Sequence, residues 1–101
     1  MIVRQRIEIP EDALAEIGRR YHVREFSLFG SVLRDDFHDE SDIDVLVEYE
    51  PGARVTLFDH FELEEELQRL LHRKVDLVSK RGLRPLLRDA ILSSMQVIYA
   101  E

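Results

Sequence analysis

Phe29-Gly30-Ser31-Val32-Leu33-Arg34 and, further on, Ser41-Asp42-Ile43-Asp44-Val45-Leu46-Val47-Glu48 decide how this chain folds. Upstream, Phe26-Ser27-Leu28-Phe29 is an apolar run that ends in the Gly30-Ser31 turn. Ten residues separate Ser31 from Asp42, where a second strand-like run opens. Side chains on a strand alternate faces, so Asp42 and Asp44 share one side. Ile43, Val45 and Val47 then form a wholly apolar face on the other. Two carboxylates side by side at the mouth of a buried strand repel each other and lose solvation. A divalent cation relieves both effects. Oxygen-only ligands suit Mg²⁺, which takes one or two carboxylates and completes its shell with substrate phosphates. A helix starting at Ser31 would turn its free N–H groups toward such a phosphate. The stretch therefore predicts a metal–nucleotide site. Taken singly, Asp-x-Asp beside His38-Asp39-Glu40 also reads as a solvated loop or a helix cap; the turn and the aspartates together, in this order, favour the site. An EF-hand calcium loop is a poor rival, because the glycine and distal glutamate it needs are missing.

Outward from this stretch, residues 2–9 alternate loosely and predict a short leading strand or an extended arm. Pro10-Glu11-Asp12 starts a helix, with acids in its first turn, and Ala13, Leu14, Ile17 and Tyr21 on one face until it fades near His22. A strand over 24–29 delivers Gly30. Residues 31–37 predict a short helix, with Val32 and Leu33 inward and Arg34 beside the phosphate pocket. A polar connection leads into a strand over 42–49, which Glu50-Pro51-Gly52 breaks. Thr56 has the character of an N-cap, with Asp59 in capping-box position. The helix that follows, over 57–72, carries Leu57, Phe58, Phe61, Leu67, Leu70 and Leu71 at helical spacing. Glu62, Glu64, Glu65, Glu66 and Arg69 crowd the other side, as a solvated face, and His60 reads as a surface residue. The third strand, over 73–79, places Asp76 among Val75, Leu77 and Val78, an expensive position for a charge. On its own, Asp76 reads as a strand-end carboxylate bonded to an amide or an arginine; beside a carboxylate pair it becomes a third member. Gly82 breaks the chain. Residues 83–95 predict a last helix with Pro85 in its first turn and Leu86, Leu87, Ala90 and Ile91 inward. Residues 96–99 form a terminal strand. The order predicts an α/β (α+β) fold, a small mixed β-sheet with helices packed on it, in one domain over residues 1–101.

The net charge of −7 disfavours direct binding to a nucleic-acid backbone and suits a basic protein partner. Twelve of the 14 basic residues are arginine, whose planar fork pairs well with phosphate or carboxylate. Cysteine is absent, which excludes disulfides and thiolate metal sites and is consistent with the cytoplasm. No apolar run approaches the ~20 residues of a membrane span, and no secretory leader opens the chain.

The Gly30-Ser31 turn followed by Asp42-Ile43-Asp44, with the later Lys74-Val75-Asp76-Leu77-Val78, resembles the signature of the DNA polymerase β-like nucleotidyltransferase superfamily. The short length and the surrounding residues resemble its smallest branch, the minimal nucleotidyltransferase (MNT) antitoxins of HEPN–MNT toxin–antitoxin pairs. The resemblance covers residues 21–79 and extends loosely through the last helix. It implies a nucleotidyltransferase core in which Asp42 and Asp44 hold two Mg²⁺ ions and Asp76 is the third carboxylate, binding one metal and assisting removal of the acceptor's proton. Gly30 and Ser31 would hold the β/γ-phosphates of ATP, and Arg34 would have a phosphate or structural pairing role. The family pattern often has glycine where Asp35 stands, which puts triphosphate affinity and catalytic rate in question. The implied function is transfer of AMP from ATP to a tyrosine hydroxyl of a HEPN ribonuclease toxin, within a hetero-oligomer with that toxin. Two alternatives stay open. A binding antitoxin would mask its toxin without chemistry, and transfer to a small molecule would need an acceptor domain for which this length leaves no room.

Overall fold

In a computed structural model, which describes residues 1–4 and 7–101, the leading segment is two short antiparallel strands, β1 (Ile2–Val3) and β2 (Ile7–Glu8). Gln5 and Arg6, inside the predicted leading strand, lie outside the described residues. Val3, Ile7 and Ile9 are buried, so this arm contributes to the core. Helix α1 (Glu11–Arg20) has Glu11 and Asp12 at its start and Arg19 and Arg20 at its end, the arrangement its macrodipole favours. It buries Leu14, Ile17 and Gly18. A side chain at Gly18 would meet the Tyr99 ring at 2.7 Å, so only glycine lets the helix lie this close to the last strand.

The main sheet contains β3 (Val23–Phe29), β4 (Ile43–Tyr49), β5 (Val75–Ser79) and β6 (Gln96–Ala100), in the order β5-β4-β3-β6. β3 is antiparallel to both β4 and β6, whereas β4 and β5 run parallel, joined through α2 (Leu57–Leu71). The predicted mixed sheet and its helices are thus present. Phe26 and Leu28 of β3 pair with Val47 and Val45 of β4, and all four are buried in the cluster shared with α1 and α2. Thr56 caps α2 as the sequence predicts: the Asp59 N–H donates to Thr56 Oγ1 at 3.1 Å and the Thr56 N–H to Asp59 Oδ2 at 3.0 Å.

The face of α2 differs from the predicted one. Leu63, Leu67 and Leu71 are buried, while Leu57, Phe58 and Phe61 at the first turns are exposed, because the sheet meets the helix only along the 63/67/71 stripe. Its polar side is only partly solvated. Gln68 Oε1 accepts from the Val75 N–H at 3.1 Å and Glu64 Oε2 from the Leu77 N–H at 2.8 Å. His60 Nε2 lies 2.9 Å from the Leu77 carbonyl, which can only accept, so Nε2 carries the proton. In the neutral ring Nδ1 then accepts from the Tyr49 hydroxyl at 2.9 Å. Burial, with a smaller contribution from Asp59, pushes the Tyr49 phenol up to about 12. One helix stripe, at positions 60, 64 and 68, therefore satisfies the outer edge of β5, a position that would otherwise expose unpaired backbone groups. His60 is part of this ladder, and Glu66 pairs with Arg20 at 2.7 Å, so neither is the free surface residue that the sequence predicts.

The last helix, α3 (Pro85–Ser94), buries no residue. Leu86 is 95% and Leu87 53% exposed, Ala90 is exposed and Ile91 half-buried, against the predicted inward face. α3 connects β5 at one edge of the sheet to β6 at the other, and the apolar face of that sheet is already covered by α1 and α2. No helix is long and apolar enough to cross a membrane among the described residues.

Leu67→Ala, at a position 1% exposed, is expected to cost roughly 2–5 kcal/mol, whereas Leu86→Ala should stay within about 0.5 kcal/mol of wild type. Urea unfolding of both variants measures the contrast. Equal losses would mean that α3 is packed in solution.

Candidate active site

Phe29 ends β3 and the chain turns at Gly30, whose φ of +73° is a conformation that glycine adopts without strain. The turn that follows, Gly30–Leu33, is a single 3-10 turn, shorter than the predicted helix over 31–37. Only Val32 and Leu33 are apolar there, and Asp35-Asp36 follow at once, too little to support a longer helix. Val32 is buried and anchors the turn to the core.

β3 places this turn against β4, since Phe29 stands opposite Asp44 in the antiparallel ladder. A methyl group at Gly30 would overlap the Asp44 carboxylate. The Ser31 backbone N–H bonds to that carboxylate, so the turn and the aspartate are in direct contact. The parallel register of β4 and β5 then pairs Asp44 with Asp76. In-register residues on adjacent strands sit ~4.8 Å apart with side chains on one face, so these two carboxylates emerge side by side. Asp42 lies just before β4 and is exposed, and Asp76 is exposed as well, in contrast to the apolar setting predicted for it. Asp44, half-buried, is the one with the strained environment. Burial chiefly, then the charges of Asp76 and Asp42, push its carboxyl above the usual range, while the Ser31 N–H and Arg34 pull it back.

Arg34 thus acts on Asp44 through its charge, and its Nε donates to Asp36 Oδ1 at 3.3 Å. Asp35, at the position where the family pattern has glycine, is exposed and faces Arg4 at 3.4 Å. The structure brings Gly30, Ser31, Asp44 and Asp76 together, with Asp42 and Arg34 close enough to act on Asp44 electrostatically. The sequence gives no sign of the Ser31–Asp44 contact, which depends on strand register.

Among the described residues no three histidine or carboxylate side chains close around a cation by themselves. The donor set fits an ion that shares its shell with a phosphate: two adjacent carboxylates, one pushed up chiefly by burial and then by its neighbours' charge, with oxygen donors alone. A cavity of about 890 Å³ lies elsewhere, lined by Glu48, Tyr49, His60, Lys80, Arg81 and Arg88, and none of the three aspartates borders it. Asp42 and Asp76 are exposed to solvent, with Asp44 half-buried between them.

Ionised Asp44 works against folding. Its raised pKa contributes stability that is fully present below the unfolded carboxyl value, near pH 4, and is lost as pH rises through the folded value. Asp44→Asn is therefore expected to melt at a higher temperature than wild type at pH 7 in a chelating buffer. The difference should close below about pH 4, where both side chains are neutral. Thermal melts across pH measure it, and a variant less stable than wild type at pH 7 would contradict the assigned repulsion.

A family model described as Nucleotidyltransferase domain matches residues 11–98. The protein adenylyltransferase MntA of Thermococcus cleftensis is 38% identical over 84 residues, covering 83% of this chain and 81% of that protein. A solved toxin–antitoxin structure with AMP-PNP aligns with a TM-score of 0.72 at 23% identity, covering 92% of this chain and 75% of the other. Another, a tri-AMPylated Shewanella oneidensis HEPN toxin in complex with MNT antitoxin, aligns at 0.64 and 22% identity, covering 90% and 70%. These two likenesses are of fold. With the family model spanning most of the chain and the relative well above a third identical, this chain belongs to the nucleotidyltransferase domain family.

Proposed function

We propose that this chain is a cytoplasmic antitoxin that transfers AMP from ATP to a tyrosine hydroxyl of a HEPN-family toxin, acting as a single minimal domain over residues 1–101. The observation that carries this reading is the pairing of Asp44 with Asp76 directly against the Gly30-Ser31 turn. It is supported by the similarity to a protein adenylyltransferase and by the fold shared with an antitoxin solved beside its AMPylated toxin.

The acceptor oxygen attacks the α-phosphorus of ATP, its new P–O bond forming as the bond to pyrophosphate breaks. Asp42, Asp44 and Asp76 are the residues to hold two Mg²⁺. When bound, the ions supply charge neutralisation and in-line orientation of the attacking and leaving oxygens. Asp76, the more exposed of the strand pair, would assist removal of the acceptor's proton. Gly30 and Ser31 would present backbone to the β/γ-phosphates, and the absence of a Cβ at Gly30 lets this turn lie directly against the Asp44 carboxylate. Arg34 adds positive charge beside Asp44. An open site suits a macromolecular acceptor better than a small one, because a protein surface can itself cover the carboxylates. The exposed Leu57, Phe58, Leu86 and Leu87 also favour a protein partner. They equally suit a purely masking antitoxin, the second reading.

The deciding experiment mixes the chain with its HEPN partner, ATP and Mg²⁺ and weighs the partner by intact mass spectrometry. A gain of one or more AMP units is expected. Asp42→Ala combined with Asp44→Ala should lower that rate by on the order of a thousandfold or more. No gain, with the toxin neutralised equally by wild type and variant, would leave masking as the function.

A further inference from the structure

Asp42 is carried on a connection, not on a strand, so something other than the sheet ladder must fix it. The residues before it form a tight turn. The Ser41 N–H donates to the His38 carbonyl at 2.9 Å and the His38 N–H to Ser41 Oγ at 3.1 Å, while the Glu40 N–H donates to His38 Nδ1 at 3.2 Å. Arg73 reaches this turn from the other side of the site. Its Nη2 lies 2.7 Å from the His38 carbonyl, 2.8 Å from that of Asp39 and 3.0 Å from that of Ser41. Its guanidinium carbon sits 4.6 Å from the centre of the Phe37 ring. One side chain thus holds both ends of the turn and stacks on the residue preceding it. Next to Arg73, the Lys74 carbonyl accepts from the Ile43 N–H at 2.9 Å, which closes the junction between the turn and β5.

We propose that Arg73 is a positioning residue for the metal-binding carboxylates: it docks the 38–41 turn onto the start of β5 and so fixes Asp42 relative to Asp76. This rests on the reading of the aspartates given above. Arg73 is three residues before Asp76, and its furthest carbonyl contact, on Ser41, is the residue just before Asp42. The contacts are to neutral carbonyls, although the turn carries Asp39 and Glu40, so geometry rather than charge pairing is the role. All three carbonyl contacts come from one nitrogen, Nη2, so lysine keeps a charged donor but loses the planar face over Phe37.

Mn²⁺ is titrated, in the presence of a non-hydrolysable ATP analogue, into wild type, Arg73→Lys, Arg73→Ala and Arg20→Ala, with free Mn²⁺ followed by electron paramagnetic resonance. Arg20, at the end of α1, pairs with Glu66 of α2 and controls for loss of a surface arginine. Arg73→Ala should bind Mn²⁺ about 10–100-fold more weakly than wild type, with Arg73→Lys between the two, while Arg20→Ala binds normally. Hydrogen exchange on the metal-free proteins should show faster exchange at the Ser41 amide in the Arg73 variants, with the α2 core amides unchanged. Wild-type Mn²⁺ affinity in Arg73→Ala overturns the proposal. A wild type that takes up no Mn²⁺ overturns the metal site itself, and this inference with it, a result distinct from equal binding by all four proteins.

Discussion

The parallel register of β4 and β5 is the constraint on which the rest depends. It sets Ile43 beside Val75 and Val45 beside Leu77 on the core face, and the same register sets Asp44 beside Asp76 on the other. A slip of β5 by one residue would send Asp76 into the core and Val75 and Leu77 into water. Burial of those aliphatic residues, each 5% exposed or less, therefore makes such a slip prohibitive. The site geometry is thus a by-product of core packing. α2 reinforces it from outside, because the 60/64/68 ladder of hydrogen bonds ends on the backbone of Val75 and Leu77, either side of Asp76.

The candidate site lies where this fold is least comfortable. Gly30 brings backbone against a carboxylate, and Asp44 is held half-buried between two further charges. Groups arranged in this way lower the stability of the metal-free chain and raise its affinity for cations, a common trade at active sites. A cation that binds only the folded form would return stability by mass action.

The outer parts of the molecule follow a different logic. The two lysines and twelve arginines are outnumbered by acids, yet Arg73 makes contacts with carbonyls rather than carboxylates, and Arg20 and Arg34 are in pairs or clusters. Arginine here is used as a multivalent donor. Meanwhile α3 leaves leucines in water that a self-sufficient fold would cover, and its position between the two sheet edges is what strands them.

The mixed α/β fold, the strands around the Gly30-Ser31 turn and Asp44, the Thr56 cap and the apolar face of β4 were all legible in the sequence, because each rests on local pattern: alternation, capping residues and a glycine before a polar turn. The candidate aspartates could be singled out too, though only through their order after the Gly30-Ser31 turn, since Asp-x-Asp by itself also reads as a solvated loop. Tertiary structure alone decided the rest. Helical spacing in 57–72 allows more than one apolar face, and only the position of the sheet selects Leu63, Leu67 and Leu71. The same holds for α3, whose pattern is amphipathic although no neighbour remains for it to cover. His60, Glu64 and Arg73 look like ordinary surface residues until the edge of β5 and the 38–41 turn are brought to them. Sequence fixes what a side chain can bond to; which backbone atoms come within its reach depends on contacts 13 to 35 residues away along the chain.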